Sequence, residues 1–337
     1  RAVPLVRVPD YTTPPQKPPN GIDTVARKLI LDVDPGIDDA VALAMALFDP
    51  RLDVVAVTAT GGSVPPQQAT ANVQAVVTLL DPPRLPRLGA APTDVDRVEV
   101  PWNLHGDDGL GGLDLPRVQL HGEHASEKVI AETLRAWPRE VTILCLGPLT
   151  NLARVLRRDP SLAEIVGGVV VCGGIAHGHG TVTPVADFNF HADPAAARAV
   201  LREPFAKTLV PADVAARVPL GFDLLDEIPD VFSRAGRLFR RMLPHAWRAQ
   251  RQFLGTESAC LPEVVALVAA TNPELFQRAS VAADVETSGE LTSGMLVVDR
   301  RQVRRALPNV DLVASCDAGA VKDCILRGMA SAAAATE

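Results

Sequence analysis

Long apolar runs are missing from this 337-residue chain. No stretch approaches the ~20 residues that a bilayer-spanning helix needs. The longest, such as "VVVCGGIA", are short and glycine-broken, so they read as buried strands. A basic surplus is missing too. Lys and Arg number 33 against 40 Asp and Glu, a net charge of −7. That excludes a general nucleic-acid binder, which would carry a basic stripe. No CxxC pair occurs, and the five cysteines (Cys145, Cys172, Cys260, Cys316, Cys324) are odd in number and widely spaced. They read as buried free thiols in a reducing compartment. Aromatic residues make up only 4%, so a site built on ring stacking is thinly supported. No signal-peptide pattern is visible. A cytoplasmic location is expected, with a removed secretion signal left open. No internal repeat is evident.

Hydrophobic residues are plentiful, at 47%, enough for a sizeable core. Six prolines crowd residues 1–26, which lack helical or strand periodicity and read as an extended arm. From residue 27 to about 332 a single domain is expected. There, short apolar runs alternate with helical stretches. "KLILDV", "LDVVAVTAT", "PRLGAA", "VTILCLG", "IVGGVVVCGG" and "AKTLVP" read as strands. "DDAVALAMALF", 65–80, 124–136, "TNLARVLRR", "PAAARAVLR" and most of 223–256 read as helices. Continuously apolar strands are buried on both faces, as in parallel sheets. The alternation predicts an α/β fold: a doubly wound, mostly parallel sheet flanked by helices, with a Rossmann-like core. Residues 98–112, rich in Gly and Asp, read as a functional loop.

The densest chemistry lies in "LILDVDPGIDDAVALAMAL", residues 29–47. Asp32, Asp34, Asp38 and Asp39 fall within eight positions, where the first strand meets the first helix. In open α/β sheets, ligands bind beyond the carboxyl ends of strands. "CLGPLTN" (145–151) and "CGGIAHGHGTVTP" (172–184) are expected at the same edge. Two carboxylates about 4 Å apart repel by roughly 4 kcal/mol at an effective dielectric near 20. A helix N-terminus offsets part of this; a cation would offset the rest. With oxygen as the only ligand chemistry nearby, Ca²⁺ or Mg²⁺ fits better than zinc. Helix capping by Asp38, with Asp39 in the first turn, is ordinary, but it leaves Asp32 and Asp34 unexplained. Phosphotransferases of the haloacid-dehalogenase type also begin with an apolar run and DxD. The continuation "PGIDDAVAL" does not fit them.

The string "DVDPGIDDAVAL" resembles the signature of the nucleoside hydrolase family, the inosine–uridine-preferring N-ribohydrolases. "HGDDGLGG" (105–112), "GPLTNLA" (147–153), "TPVADFNFHADPAAA" (183–197) and "TNPELF" (271–276) look like family blocks in the family order. The resemblance implies a ribonucleoside hydrolase with a Ca²⁺ ion at the pocket floor. Asp34 and Asp39 would ligate it, with the Leu146 carbonyl and Glu263. Asp34 would also take the proton from the attacking water, and Asp38 would bind a ribose hydroxyl. Asp32 would support the strand end. Asn189 would hold ribose hydroxyls, Asp187 the 5′ side of the sugar, and His105 the base or sugar face. A small nucleoside-like substrate, no nucleic acid, no membrane and a homodimer or homotetramer are implied.

Four positions depart from the family pattern. Ser63 stands where an Asn contacts the 5′ region. Thr181 replaces the Asn before "VTP". Asp187 replaces the usual Glu. Pro262 and Glu263 replace the late "HD" pair, so the leaving-group histidine is lost. Three of these changes (Ser63, Thr181, Asp187) fall where a ribose 5′-OH would sit. A substrate modified at that end is one reading, with His177 and His179 as candidates to meet an anionic group. A weak or inactive binding protein is another. With Pro262 unable to donate a proton, Trp247, His245 and Trp102 are the candidates to act on the base.

Overall fold

The computed structural model describes residues 26–94, 100, 102–113, 115, 124–228, 232–301 and 306–337. The proline-rich arm, apart from Ala26, and residues 98, 99 and 101 of the Gly/Asp-rich loop lie outside these described residues.

In chain order the first half runs β1 (Arg27–Val33), α1 (Ile37–Leu47), β2 (Leu52–Ala59), α2 (Pro66–Leu80), β3 (Arg87–Ala90), β4 (His124–Ala125), α3 (Ser126–Ala136), β5 (Val141–Cys145), α4 (Thr150–Arg158) and β6 (Gly168–Cys172). The second half adds α5 (Phe188–Ala192), α6 (Pro194–Arg202), β7 (Lys207–Val210), α7 (Ala212–Ala215), α8 (Leu224–Glu227), α9 (Arg234–Leu254) and α10 (Pro262–Thr271). It closes with β8 (Phe276–Val281), β9 (Ala283–Val285), β10 (Leu296–Val298), β11 (Val310–Cys316) and α11 (Ala318–Ala334). The strands and helices predicted before residue 256 are present. The 223–256 stretch contains two helices, α8 and the 21-residue α9.

Nine strands form one sheet in the order β4-β3-β2-β1-β5-β6-β7-β11-β8. Each neighbouring pair is parallel except β11 with β8. The chain builds outward from β1 to β4, then returns to the other side of β1 with β5. The order therefore reverses between β1 and β5. At such a switch point the flanking loops diverge and leave a crevice at the carboxyl ends of the strands.

The alternation of side chains along β1 explains the two layers. Leu29, Leu31 and Val33 join the core shared with α1, α2, α9, α10 and α11. Ile30 joins the opposite core, with residues of α3, α4 and α6. Helix α1 is buried from Ile37 to Ala46, because α10 and α11 cover the side that a surface helix would expose. Its N-terminus, with Asp38 and Asp39 in the first turn, opens onto the switch-point crevice. Among the described residues, no helix is long and apolar enough to cross a membrane. All five cysteines are free thiols, with Cys145 and Cys172 buried.

Candidate active site

Four loops meet at the crevice: those after β1, β2, β5 and β6. Asp32, the last acid of β1, is 1% exposed. Its Oδ1 accepts from Thr58 Oγ1 at 2.7 Å and from Asn151 Nδ2 at 2.8 Å. Burial lifts its carboxyl to about 6 against the pull of these two bonds. Asn151 Nδ2 also donates to the Ala59 carbonyl at 2.9 Å. Asp32 thus pins β1, β2 and α4 together.

Asp34 lies two residues further on, just past the end of β1, and is 3% exposed. Ser63 donates twice to its Oδ2, from the backbone N at 2.8 Å and from Oγ at 3.0 Å. Burial pushes its carboxyl up to about 7; Ser63 opposes the shift and Asp38 adds to it. Two glycines make the space. A Cβ on Gly62 would lie 2.2 Å from Asp34 Oδ2, and one on Gly147 would lie 2.6 Å from Oδ1. Gly147→Ala is therefore expected to displace the carboxylate and lower kcat at least about tenfold, with overpacking costing ~1–3 kcal/mol of stability. Steady-state kinetics and a melting curve check this; an alanine variant with unchanged kcat would show the carboxylate is not held there.

Asp39 reaches back over the helix start, its Oδ2 accepting from Gly36 N at 3.0 Å. The helix cap is thus Gly36 and not Asp38, with Asp39 reaching back to it from the first turn, and the contact engages one oxygen only. Oδ1 is buried with no partner. Burial, then Asp34 and Asp38, hold this carboxyl well above its usual range. Asp38 Oδ1 accepts from Asp39 N at 3.2 Å. His105 Nδ1 lies 3.7 Å from the same oxygen. The contact is no ion pair as it stands, because Nδ1 accepts from Ile37 N at 3.1 Å. That bond assigns the proton to Nε2.

Glu263, in the first turn of α10, comes from the opposite end of the sequence. Its Oε2 is shut off from solvent and unpartnered, and Oε1 lies 4.0 Å from Cys172 Sγ. Burial first, then Asp38 and Asp39, raise it well above the usual carboxylate range. Leu146 N donates to Asp32 O at 2.8 Å, and Leu146 O accepts from Asn189 Nδ2 at 2.6 Å. Asn189 Nδ2 also reaches Cys172 O at 3.0 Å. Thus Asp34, Asp38, Asp39 and Glu263 share one electrostatic environment, with Leu146 and Asn189 linked to it through β5 and β6.

The residues expected around the sugar 5′ end are arranged differently from one another. The Ser63 hydroxyl is engaged by Asp34. Asp187 caps α5, its oxygens accepting from Gly174 N at 2.7 Å and Asn189 N at 3.1 Å. Burial lifts its carboxyl to about 6. Thr181 is exposed. His177 and His179 are also exposed, on a loop whose amides at Ala176, His177 and Gly178 all donate to Asp213.

A cavity of about 710 Å³ lies between the 103–112 loop and α9, and none of Asp34, Asp38, Asp39 and Glu263 is among its lining residues. His245, Arg248, Asp107 and Phe253 are among its lining residues. Trp247 is not. Its place over a substrate is corrected: the ring is 2% exposed, 6.0 Å from Phe222, and its Nε1 donates to Leu220 O at 2.8 Å. Period alone put Trp247 on a helix, but the packed face of α9 claims it. Asn151, Gly62 and Gly147 escaped the sequence reading as site residues. The first lies in "GPLTN", where an Asn two residues into a buried helix is the signal that was there to find.

The buried carboxylates crowd at the switch point of a mostly parallel sheet, where open α/β folds bind their ligands. The chain belongs to the inosine-uridine preferring nucleoside hydrolase family, whose sequence model matches residues 29–323. It is therefore an N-glycosyl hydrolase of ribonucleosides. It is 31% identical over 296 residues to the pyrimidine-specific ribonucleoside hydrolase RihA of Salmonella paratyphi C, covering 87% of this chain and 95% of that protein. The RihA of Klebsiella pneumoniae is also 31% identical, over 310 residues, 91% and 99% of the two chains. Among solved structures, the plant nucleoside hydrolase PpNRh1 superposes with a TM-score of 0.84 at 26% identity, over 90% and 99% of the chains. A purine-preferring ribonucleoside hydrolase from Gardnerella vaginalis gives 0.84 at 23% identity, over 91% and 99%, a likeness of fold.

Proposed function

We propose that this chain hydrolyses the N-glycosidic bond of a ribonucleoside with a calcium ion as cofactor and Asp34 as general base. The observation that carries the reading is the set of buried, unpartnered oxygens on Asp39 and Glu263 beside Asp34 and Asp38. Buried charges need partners, and an all-oxygen donor set suits a hard cation. Asp34, Asp39, Glu263 and the Leu146 carbonyl would hold the ion. Among the described residues no three His, Cys, Asp or Glu side chains already close on one point. The carbonyl, water and sugar oxygens would complete the shell. When bound, the ion would acidify a water and orient the ribose diol.

The chain's own residues supply the rest. Ser63 holds Asp34 Oδ2, which leaves Oδ1 to take a proton from the attacking water. Asp38 and Asn189 bind ribose hydroxyls. Carboxylates beneath the sugar stabilise the positive charge that develops in an oxocarbenium-like transition state. His105, with its proton on Nε2, can donate toward the base side.

A second reading is favoured at the 5′ end. Ser63 and Asp187 are both turned to internal partners and Thr181 is exposed, so a larger 5′ substituent could be accommodated there. The amides of 176–178 already hold Asp213, which argues for an uncharged group over an anionic one. The 31% identity to pyrimidine-specific relatives makes uridine and cytidine the first substrates to try. A homodimer or homotetramer remains our proposal for the assembly.

The test is reducing-sugar release from uridine, cytidine, inosine and 5′-O-methyluridine, with calcium and with chelator. Calcium-dependent release from at least one supports the reading. Nucleosides that raise the melting temperature without being cleaved would instead make this a binding protein.

A further inference from the structure

Glu263 sits at the start of a helix that has no side-chain cap. Helix α10 begins at Pro262, and Leu261, the N-cap residue before it, makes no side-chain cap. No side-chain cap therefore fixes the first turn, where Glu263 sits one methylene longer than the Asp that the family resemblance implies. The fixing comes from α9. Gln250 grips the backbone of Cys260 with both ends of its amide: Nε2 donates to Cys260 O at 2.8 Å, and Oε1 accepts from Cys260 N at 2.9 Å. The strand of chain just before is stitched by a reciprocal pair, Leu220 N to Ala259 O at 2.8 Å and Ala259 N to Leu220 O at 2.9 Å. Trp247, on the same helix, donates to Leu220 O.

We propose that Gln250 is a positioning residue for Glu263, setting the start of α10 so that this carboxylate reaches the divalent ion. The proposal rests on the calcium reading of the site. Two residues, Leu261 and Pro262, separate the clamped Cys260 from the carboxylate, and the proline adds stiffness. A planar amide binding both polar groups of one residue fixes its position and its orientation, which a single bond cannot do. Outer partners of metal ligands commonly govern affinity for the ion in this way. The same helix turns Ala249 and Gln252, the neighbours of Gln250, toward the large cavity. The element that walls the cavity thereby also sets a carboxylate of the ion site.

The experiment is calcium titration by isothermal calorimetry on the full chain after chelation and dialysis. Gln250→Met keeps the volume and removes both bonds. Gln250→Glu keeps the acceptor for Cys260 N and loses the donor to Cys260 O. Asn309→Leu serves as comparator, because Asn309 makes a similar clamp, to Ala283 and Leu201, away from the site. Calcium binding is expected to weaken roughly tenfold or more in Gln250→Met and by about half that factor in Gln250→Glu. Asn309→Leu should melt earlier yet bind calcium as the wild type does, since a merely structural clamp moves stability alone. If Gln250→Met fails to fold, Gln250→Glu carries the comparison. Wild-type affinity in both Gln250 variants overturns the proposal and leaves the calcium reading standing. A wild-type chain that gives no binding heat with calcium removes both.

Discussion

Asp34→Asn is expected to lower kcat by about a thousandfold, the scale of a lost general base, while making the calcium-free protein melt at a higher temperature at pH 8. The two effects have opposite signs because the proposed base acts in the charged form, which burial penalises in the folded chain. Its carboxyl is pushed up to about 7 by burial, with Asp38 adding to the shift. A carboxyl raised in the folded state favours folding at low pH, and that contribution is lost as pH rises from about 4 through about 7. At pH 8 the folded chain carries a buried charge among like charges. Asparagine removes the charge and keeps an oxygen for the Ser63 N–H and O–H. At pH 5 the native carboxyl is already protonated, so the gain should vanish. Scanning fluorimetry in chelator at the two pH values measures this. A variant that keeps more than a tenth of wild-type kcat would remove Asp34 from the role of base.

The acidic stretch was legible because local sequence crowds it. Four aspartates follow an apolar strand within eight residues, and the fold places the last three in one electrostatic environment. The sheet was legible for a similar reason: its inner strands are apolar throughout, and their alternation with helices dictates parallel pairing. What stayed hidden depends on long-range packing. Helix α10 is apolar all round, so no period marks the face that presents Glu263, and only the family resemblance singled that residue out. Strands β8 to β10 span three to six residues, and β8 runs antiparallel at the sheet edge. Trp247 shows the limit most directly. Its helix was readable, yet only the seating of α9 on the core decides that the ring points inward and His245 toward the cavity. The Gln250 clamp joins residues ten apart across a helix end, a pairing that composition does not announce.

Calcium removal should abolish hydrolysis, and calcium at about a hundred times its dissociation constant should stabilise the chain by roughly 2.7 kcal/mol. For a domain this large that corresponds to a melting-temperature rise of roughly 5 °C. The same buried oxygens would account for both effects. Asp39 Oδ1 and Glu263 Oε2 are buried with no hydrogen-bond partner, so each lacks the compensation that burial demands. Protons can supply it, which is why burial holds both carboxyls well above their usual range. A divalent ion competes with those protons and wins more readily as pH rises. The calcium-induced shift should therefore grow from pH 5 to pH 8. Magnesium should restore less activity, because it demands near-octahedral geometry at short distances and gives up water reluctantly. The long Glu263 and the Leu146 carbonyl, itself already bonded to Asn189, suit the looser shell of the larger ion. Full activity in chelator, with no calcium-dependent rise in melting temperature, would leave the buried acids to act by protonation alone and would remove the ion from the site.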